Sequence, residues 1–140
     1  MKLGLKIILI ITGFILFFGL GATYYLFNKP HRNIAKEKPA FIMEASELFE
    51  EFNMNEDLGN KKFGNQVIQV SGKVTEIPMD ENGISFILNN SMEAVNCTID
   101  VQYEDKVKNI KFGDKVTLKG KCDGFDMIMG VVLTKCILIE

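Results

Sequence analysis

The residues that could carry chemistry in this 140-residue chain are few: three cysteines, one histidine and some neighbouring carboxylates. Cys97, Cys122 and Cys136 stand 25 and 14 residues apart, without a C-x-x-C. Zinc sites gather closely spaced Cys and His ligands, and here the sole histidine, His31, lies in a polar stretch far from the cysteines. No thiol adjoins a helix start or a second cysteine, so a redox centre has no support. No Gly-x-Ser-x-Gly, phosphate loop or dinucleotide fingerprint occurs. Glu50-Glu51 and Asp80-Glu81 read as solvated acids. Asp80, Glu81, Asp123 and Asp126 could meet at one rim and hold calcium, since carboxylates suit that ion; the plainer reading is again solvated acids. No catalytic residue, metal or cofactor is assigned, and the expected class is non-enzymatic.

The most informative loop is Gly124-Phe125-Asp126-Met127-Ile128-Met129-Gly130. It sets Phe125, Met127, Ile128 and Met129 between two glycines. Methionine adapts to varied partners, so these four side chains are the candidate contact site. The alternative is that Phe125 and Ile128 fold back to cap the core.

Period-two alternation defines the elements around that loop. Ile68, Val70, Gly72 and Val74 face inward on a first strand. Asp80-Glu81-Asn82-Gly83 is a hairpin signal before a second strand with Ile84, Phe86 and Leu88. A third strand carries Val95, Cys97, Ile99 and Val101. Residues 102–112 break the pattern and suit a short helix. Val116, Leu118, Gly120 and Cys122 form a fourth strand, and an apolar fifth falls within residues 128–139. Upstream, Ile42, Ala45, Leu48, Phe49 and Phe52 recur at helical spacing between Phe41 and Asn53, so an amphipathic helix is expected there. A second short turn is expected over Glu56–Lys62. Strands this short leave open edges unless they close. The expected fold is all-β with minor α: a five-stranded OB-fold barrel preceded by an amphipathic helix. The fifth strand then lies between the third and fourth, and three thiols allow at most one internal disulfide. Cys136 would pair with Cys97 or with Cys122, a choice the sequence leaves open.

Charge divides the chain. Residues 1–40 hold six basic groups and one acidic group; residues 41–140 hold ten basic and seventeen acidic, a net of −7. Ile7–Phe27 is 21 residues without a charge, roughly 30 Å as a helix and enough to cross a bilayer. The expected organisation is a basic head (1–6), a transmembrane anchor (7–27), an extended polar tether (28–40) and an OB domain with its N-terminal helix (41–140). A cleaved signal at Gly19-Leu20-Gly21 is the alternative to the anchor. The short basic head followed at once by the apolar run is the layout of a signal-anchor. It puts a single-pass protein in the cell membrane with its domain outside the cytoplasm, on the periplasmic side. The positive charges at 29–38 lean the other way.

The domain resembles the tRNA-anticodon-like OB-fold family of small bacterial proteins, many of which carry an N-terminal anchor or signal. The resemblance rests on Ala45-x-x-Leu48-x-x-x-Phe52-x-x-Asn55-Glu56, Val70-x-Gly72-x-Val74, Val95-x-Cys97, and Phe112-Gly113-Asp114-x-Val116-x-Leu118-x-Gly120-x-Cys122-x-Gly124-Phe125, with Cys136 before Ile137-Leu138. It implies the fold strongly and a function weakly.

OB barrels that take single strands need aromatic platforms and a positive groove on the face of the second and third strands. Here that face carries Ser85, Ile87, Asn89, Asn96, Thr98 and Asp100. A small basic strip could form from Lys73, Lys119 and Lys121. A net of −7 repels phosphates. The sequence therefore favours an interaction module for a protein or envelope partner, with the membrane as its location. The alternative is a nucleic-acid-binding OB domain held there.

Overall fold

The computed structural model describes residues 2–28, 32–90 and 92–139, so His31 lies outside the described residues. The chain divides into two units, residues 1–32 and 33–140.

The first unit is helix α1, Lys2–Phe27. Its 26 residues span about 39 Å. It is long and apolar enough to cross a membrane, and its apolar side chains are exposed on every side. Thr12 and Thr23 donate their hydroxyls back to the Ile8 and Gly19 carbonyls, which removes unpaired polar groups from the helix surface.

The second unit begins earlier than the sequence indicates. Residues 33–40 are not a free tether: Ile34 is buried, and Lys119 Nζ donates to the Ala35 and Glu37 carbonyls at 3.0 and 2.9 Å. The partner is more than 80 positions away in the chain, so no local pattern reports it.

A second correction concerns Phe41–Asn53. Phe41–Glu44 is a strand, β1, and helix α2 runs only from Ala45 to Met54. β1 pairs in parallel with Ile68–Ser71. Alternation there packs Phe41 and Met43 against the core and leaves Ile42 exposed. Helix α2 starts where the Glu47 carboxylate accepts from the Glu44 N–H at 3.1 Å. It buries Ala45, Leu48 and Phe52. Helix α3, Glu56–Phe63, is capped by Asn55, whose side chain accepts from the Leu58 N–H. Phe52, Phe63 and Phe41 form an aromatic chain, with centroids 5.7 and 4.9 Å apart. Gly59 lies directly against the Phe52 ring, where a Cβ would not fit.

The remaining strands are β2 (Val67–Glu76), β3 (Met79–Asp80), β4 (Gly83–Leu88), β5 (Val95–Ile99), β6 (Lys115–Asp126) and β7 (Gly130–Leu138). A 3₁₀ turn, Val101–Tyr103, and helix α4, Glu104–Val107, lie between β5 and β6 and bury Val107. The order across the sheet is β1-β2-β6-β7-β5-β4-β3, and β2 also pairs with β4. That last seam is short and irregular. β2 gives the first half of one edge to β1 and meets β4 only at Val74 and Glu76. Gly72 marks the change of partner; a Cβ there would press on Ala45 and Leu88 at 3.1 and 3.2 Å. The result is a mostly-β fold, with helices, around one core.

Two bulges shape β6 and β7. Between Leu133 and Cys136, β7 carries one residue more than both neighbours, with Lys135 at φ 51°. β6 carries its own extra residue between Cys122 and Gly124, with Gly124 at φ 106°. Each bulge re-aims the side chains that follow it.

Candidate functional site

The β6–β7 turn divides the four candidate side chains. Phe125 turns inward, 6.2 Å from the Phe49 ring and 6.3 Å from the Phe52 ring. Met127 and Ile128 are each 94% exposed, and Met129 46%. Phe125 therefore leaves the four-residue contact site expected from the sequence and packs as a cap, while Ile128, its partner in the alternative reading, does not fold back with it. The turn is held by Asp126, whose carboxylate accepts from the Ile128 and Met129 N–H groups at 2.8 and 3.0 Å. Those two backbone bonds hold its carboxyl below the usual carboxylate range.

Gly130, at φ 76°, packs its Cα on the Ala94 carbonyl, which also accepts from the Val131 N–H at 3.1 Å. The turn thus sits beside the β4–β5 connection. That connection presents Met92, 89% exposed, a residue the sequence analysis missed. Only its neighbourhood in space gives it meaning, because strand alternation says nothing about a loop residue.

The proposed basic strip is largely used up. Lys119 is buried beneath residues 35–37. Lys121 pairs with Asp123 at 2.7 Å, and the neighbouring Lys115 meets Glu44 at 3.5 Å. Lys73 is exposed. The face of β4 and β5 carries Ser85, Ile87, Asn96 and Thr98, all half-buried, with Ser85 Oγ donating to Thr98 Oγ1 at 3.3 Å. It holds neither a lysine nor an aromatic ring. Among the described residues of the domain, the one exposed aromatic is Phe112, on the approach to β6.

A groove of about 240 Å³ opens where β1 gives way to α2, lined by Glu44, Ser46, Ser71, Lys73, Asn89 and Lys115. No sequence motif points to it, since it arises from the change of partner along β2. The Lys115–Glu44 pair spans part of its wall and cancels one of its two positive charges.

The acidic residues do not converge. Asp80 caps its own hairpin, accepting from the Asn82 N–H at 2.7 Å. Asp123 pairs with Lys121 and accepts from Thr134 Oγ1 at 2.8 Å. The Asp80 hairpin feeds the start of β4, which lies against the end of β5. The Asp126 turn lies by the start of β5. Among the described residues, no three His, Cys, Asp or Glu side chains are grouped to hold a metal.

All three cysteines are buried, as their inward alternation predicts. They are free thiols in the structure. Burial pushes Cys122 up to about 11 and raises Cys136 as well, so neither offers a reactive thiolate near neutral pH.

A Klebsiella pneumoniae subsp. pneumoniae MGH 78578 protein named as a nucleic acid-binding lipoprotein superposes with a TM-score of 0.59 at 10% identity, over 71% of this chain and 91% of that one. A Leishmania major Friedlin protein named as an aspartyl-tRNA synthetase gives 0.47 at 10% identity. The Entamoeba histolytica asparaginyl-tRNA synthetase, in complex with asparaginyl-adenylate, gives 0.45 at 11%. The match covers 79% and 73% of this chain but only 23% and 24% of those two. No curated protein matches. The Klebsiella likeness shows a shared fold. A family model spans residues 1–138, nearly the whole sequence: the chain belongs to the tRNA_anti-like family.

Proposed function

We propose that this chain is a single-pass membrane protein in which α1 spans the bilayer. Its 33–139 domain, read as a five-stranded barrel closed through the β2–β4 seam, works outside the cytoplasm as a non-enzymatic interaction module. Its partner is a protein or another envelope component, gripped by the β6–β7 turn. One observation carries this reading. The domain exposes Met127, Ile128 and Met129 on one turn, and Met92 on the connection that this turn adjoins at Ala94, while it spends Lys119 and Lys121 on its own groups. An apolar tip rimmed by polar residues marks an interaction site.

The test is in-membrane crosslinking of the full chain followed by pull-down, with a Met127→Ser/Ile128→Ser variant as control. The expected result is a discrete crosslinked species that the variant loses at unchanged expression. Identical crosslinks from both proteins would remove the turn from the reading. The side of the membrane needs an added cysteine, because the native thiols are buried. Met79→Cys, at a 74% exposed position, should react with an impermeant maleimide in intact spheroplasts; reaction only after lysis would put the domain in the cytoplasm.

The second reading is nucleic-acid binding, favoured by the fold shared with the Klebsiella protein of that name. The charge of −7 on residues 41–140 opposes it. Filter binding with single-stranded DNA and RNA at low salt should give no complex tighter than about 10⁻⁴ M. Tight, salt-sensitive binding would reverse the order of the two readings.

A further inference from the structure

The domain's negative charge is unevenly spread. Residues 106–115, KVKNIKFGDK, carry four lysines and one acid. Without them, the ten basic and seventeen acidic groups of residues 41–140 become six and sixteen. The segment runs from α4 into β6 and is pinned to β2. The Gly113 N–H donates to the Val74 carbonyl at 2.8 Å, and the Val74 N–H to the Asp114 carbonyl at 2.9 Å. Val107 is buried and Ile110 packs on the core, while Lys106, Lys108 and Lys111 are exposed. Asp114, the segment's one acid, accepts from the Lys111 N–H at 2.9 Å. Phe112, inside that turn, is 73% exposed. Lys73 joins from β2, its Cε 3.8 Å from where a Gly113 Cβ would stand. Across the ladder Lys73 faces Lys115, a like-charged pair that costs stability unless an anion stands over it. Glu44 pairs with Lys115, Asp105 pairs with Lys108, and Glu104 accepts from the Ile84 N–H at 3.3 Å. Among the described residues, Lys73, Lys106 and Lys111 form no ion pair. An otherwise acidic domain thus carries one basic patch around an exposed aromatic ring.

We propose that this patch rests on an anionic phospholipid surface, with Phe112 at headgroup depth and Lys73, Lys106 and Lys111 on the phosphates. The proposal depends on the reading in which α1 spans the bilayer. Phe27, the last residue of α1, and Asn33, the first of the domain, are six positions apart. The chain between them reaches at most about 20 Å, at any angle. The domain therefore stays near the lipid, and its charge decides which side it turns there. Anionic headgroups repel its acidic remainder and attract lysines, and aromatic rings favour the headgroup zone. The chain also enters the domain near the patch. Its strap is fastened at Lys119, four residues along β6 from Lys115 and about 13 Å away. The strap adds Lys36 and Lys38, both exposed. The β6–β7 turn lies at the opposite end of the twelve residues of β6, which leaves it free for a partner.

The chain has no tryptophan, so Phe112→Trp supplies a single reporter. The full chain carrying it is reconstituted in phosphatidylcholine vesicles with brominated acyl chains, with or without phosphatidylglycerol. In the anionic vesicles its emission should shift to the blue and fall by about half at low salt. The quenching should disappear at about 1 M salt, where screening shortens to about 3 Å. Adding Lys73→Gln and Lys111→Gln should remove it at low salt too. A reporter at the far turn, Met127→Trp, should stay unquenched in both vesicles. Equal quenching in the two lipids, none in the anionic one, or quenching at position 127 instead would overturn the proposal. So would a change in the position-112 emission on adding single-stranded DNA to the zwitterionic vesicles, which would assign the patch to nucleic acid. Flotation at high salt scores the anchor separately. A chain that fails to float removes the spanning reading and the patch with it; one that floats without quenching removes the patch alone.

Discussion

The outer face of β6 and the turn that follows it lie within ten residues of each other, yet they invert the usual roles of charge and apolarity. At Lys119 a lysine is 7% exposed and works as a structural clamp. At Ile128 an apolar side chain is 94% exposed and points out of the molecule. The lysine is buried because residues 35–37 run across it and supply two carbonyls, which solvate the ammonium as water would. The isoleucine is exposed because Asp126 spends its carboxylate on the turn's own N–H groups, fixing the backbone with the side chain outward. Residue type alone would have assigned the lysine to the surface and the isoleucine to the core. What decides is which backbone groups need partners at each place.

Breaking the clamp should produce the largest effect. Lys119→Met removes two charge-assisted hydrogen bonds and leaves the Ala35 and Glu37 carbonyls to find other donors, for a loss of about 3 kcal/mol. Urea denaturation of the full chain would measure it, together with faster tryptic cleavage at Lys36 and Lys38. A loss below about 0.5 kcal/mol would mean that the strap is only resting on the sheet.

The turn offers a sharper internal contrast. Phe125→Ala strips a half-buried ring from Phe49 and Phe52 and should cost about 2 kcal/mol. Met127→Ala, two residues on, should stay within about 0.5 kcal/mol of the parent. Equal costs would show that Met127 is packed in solution.

The smallest effect belongs to Asp126. Its carboxyl is held below the ordinary value by the Ile128 and Met129 amides. The sign follows from linkage: a depressed folded pKa gives stability that is present above the unfolded value and lost as pH falls through the folded one. The turn should therefore keep its shape through neutral and mildly acidic pH. The Ile128 amide resonance should titrate below about pH 3.9. A midpoint at or above that value would show the turn is not held by this side chain.

Much of the architecture was readable because period-two alternation is local. β2, β4, β5 and β6 followed from it, and so did the inward placement of Cys97, Cys122 and Cys136. The misses have physical causes. Ile42 stands three residues before Ala45, so a helical spacing runs without a break across a strand–helix junction. In β7, the bulge at Lys135 makes Leu133 and Cys136, three apart, face the same way, which hides the strand's period. The Lys119 clamp joins residues more than 80 apart, and no window contains both. At the site, composition pointed to the β6–β7 turn. Separating Phe125 from Met127 and Ile128 required knowing that Phe49 and Phe52 lie under only one of them.

The clamp and β1 also decide where this domain can be cut. Without β1, the Ile68–Ser71 edge of β2 would present unpaired backbone groups, a template on which another chain could add a strand. A soluble fragment begun at residue 45 would carry that open edge into solution, and one begun at 41 would keep β1 without its fastening. A fragment begun at residue 33 retains Ile34, the clamp and the covered edge together, and is the version suited to crystallisation or partner screening.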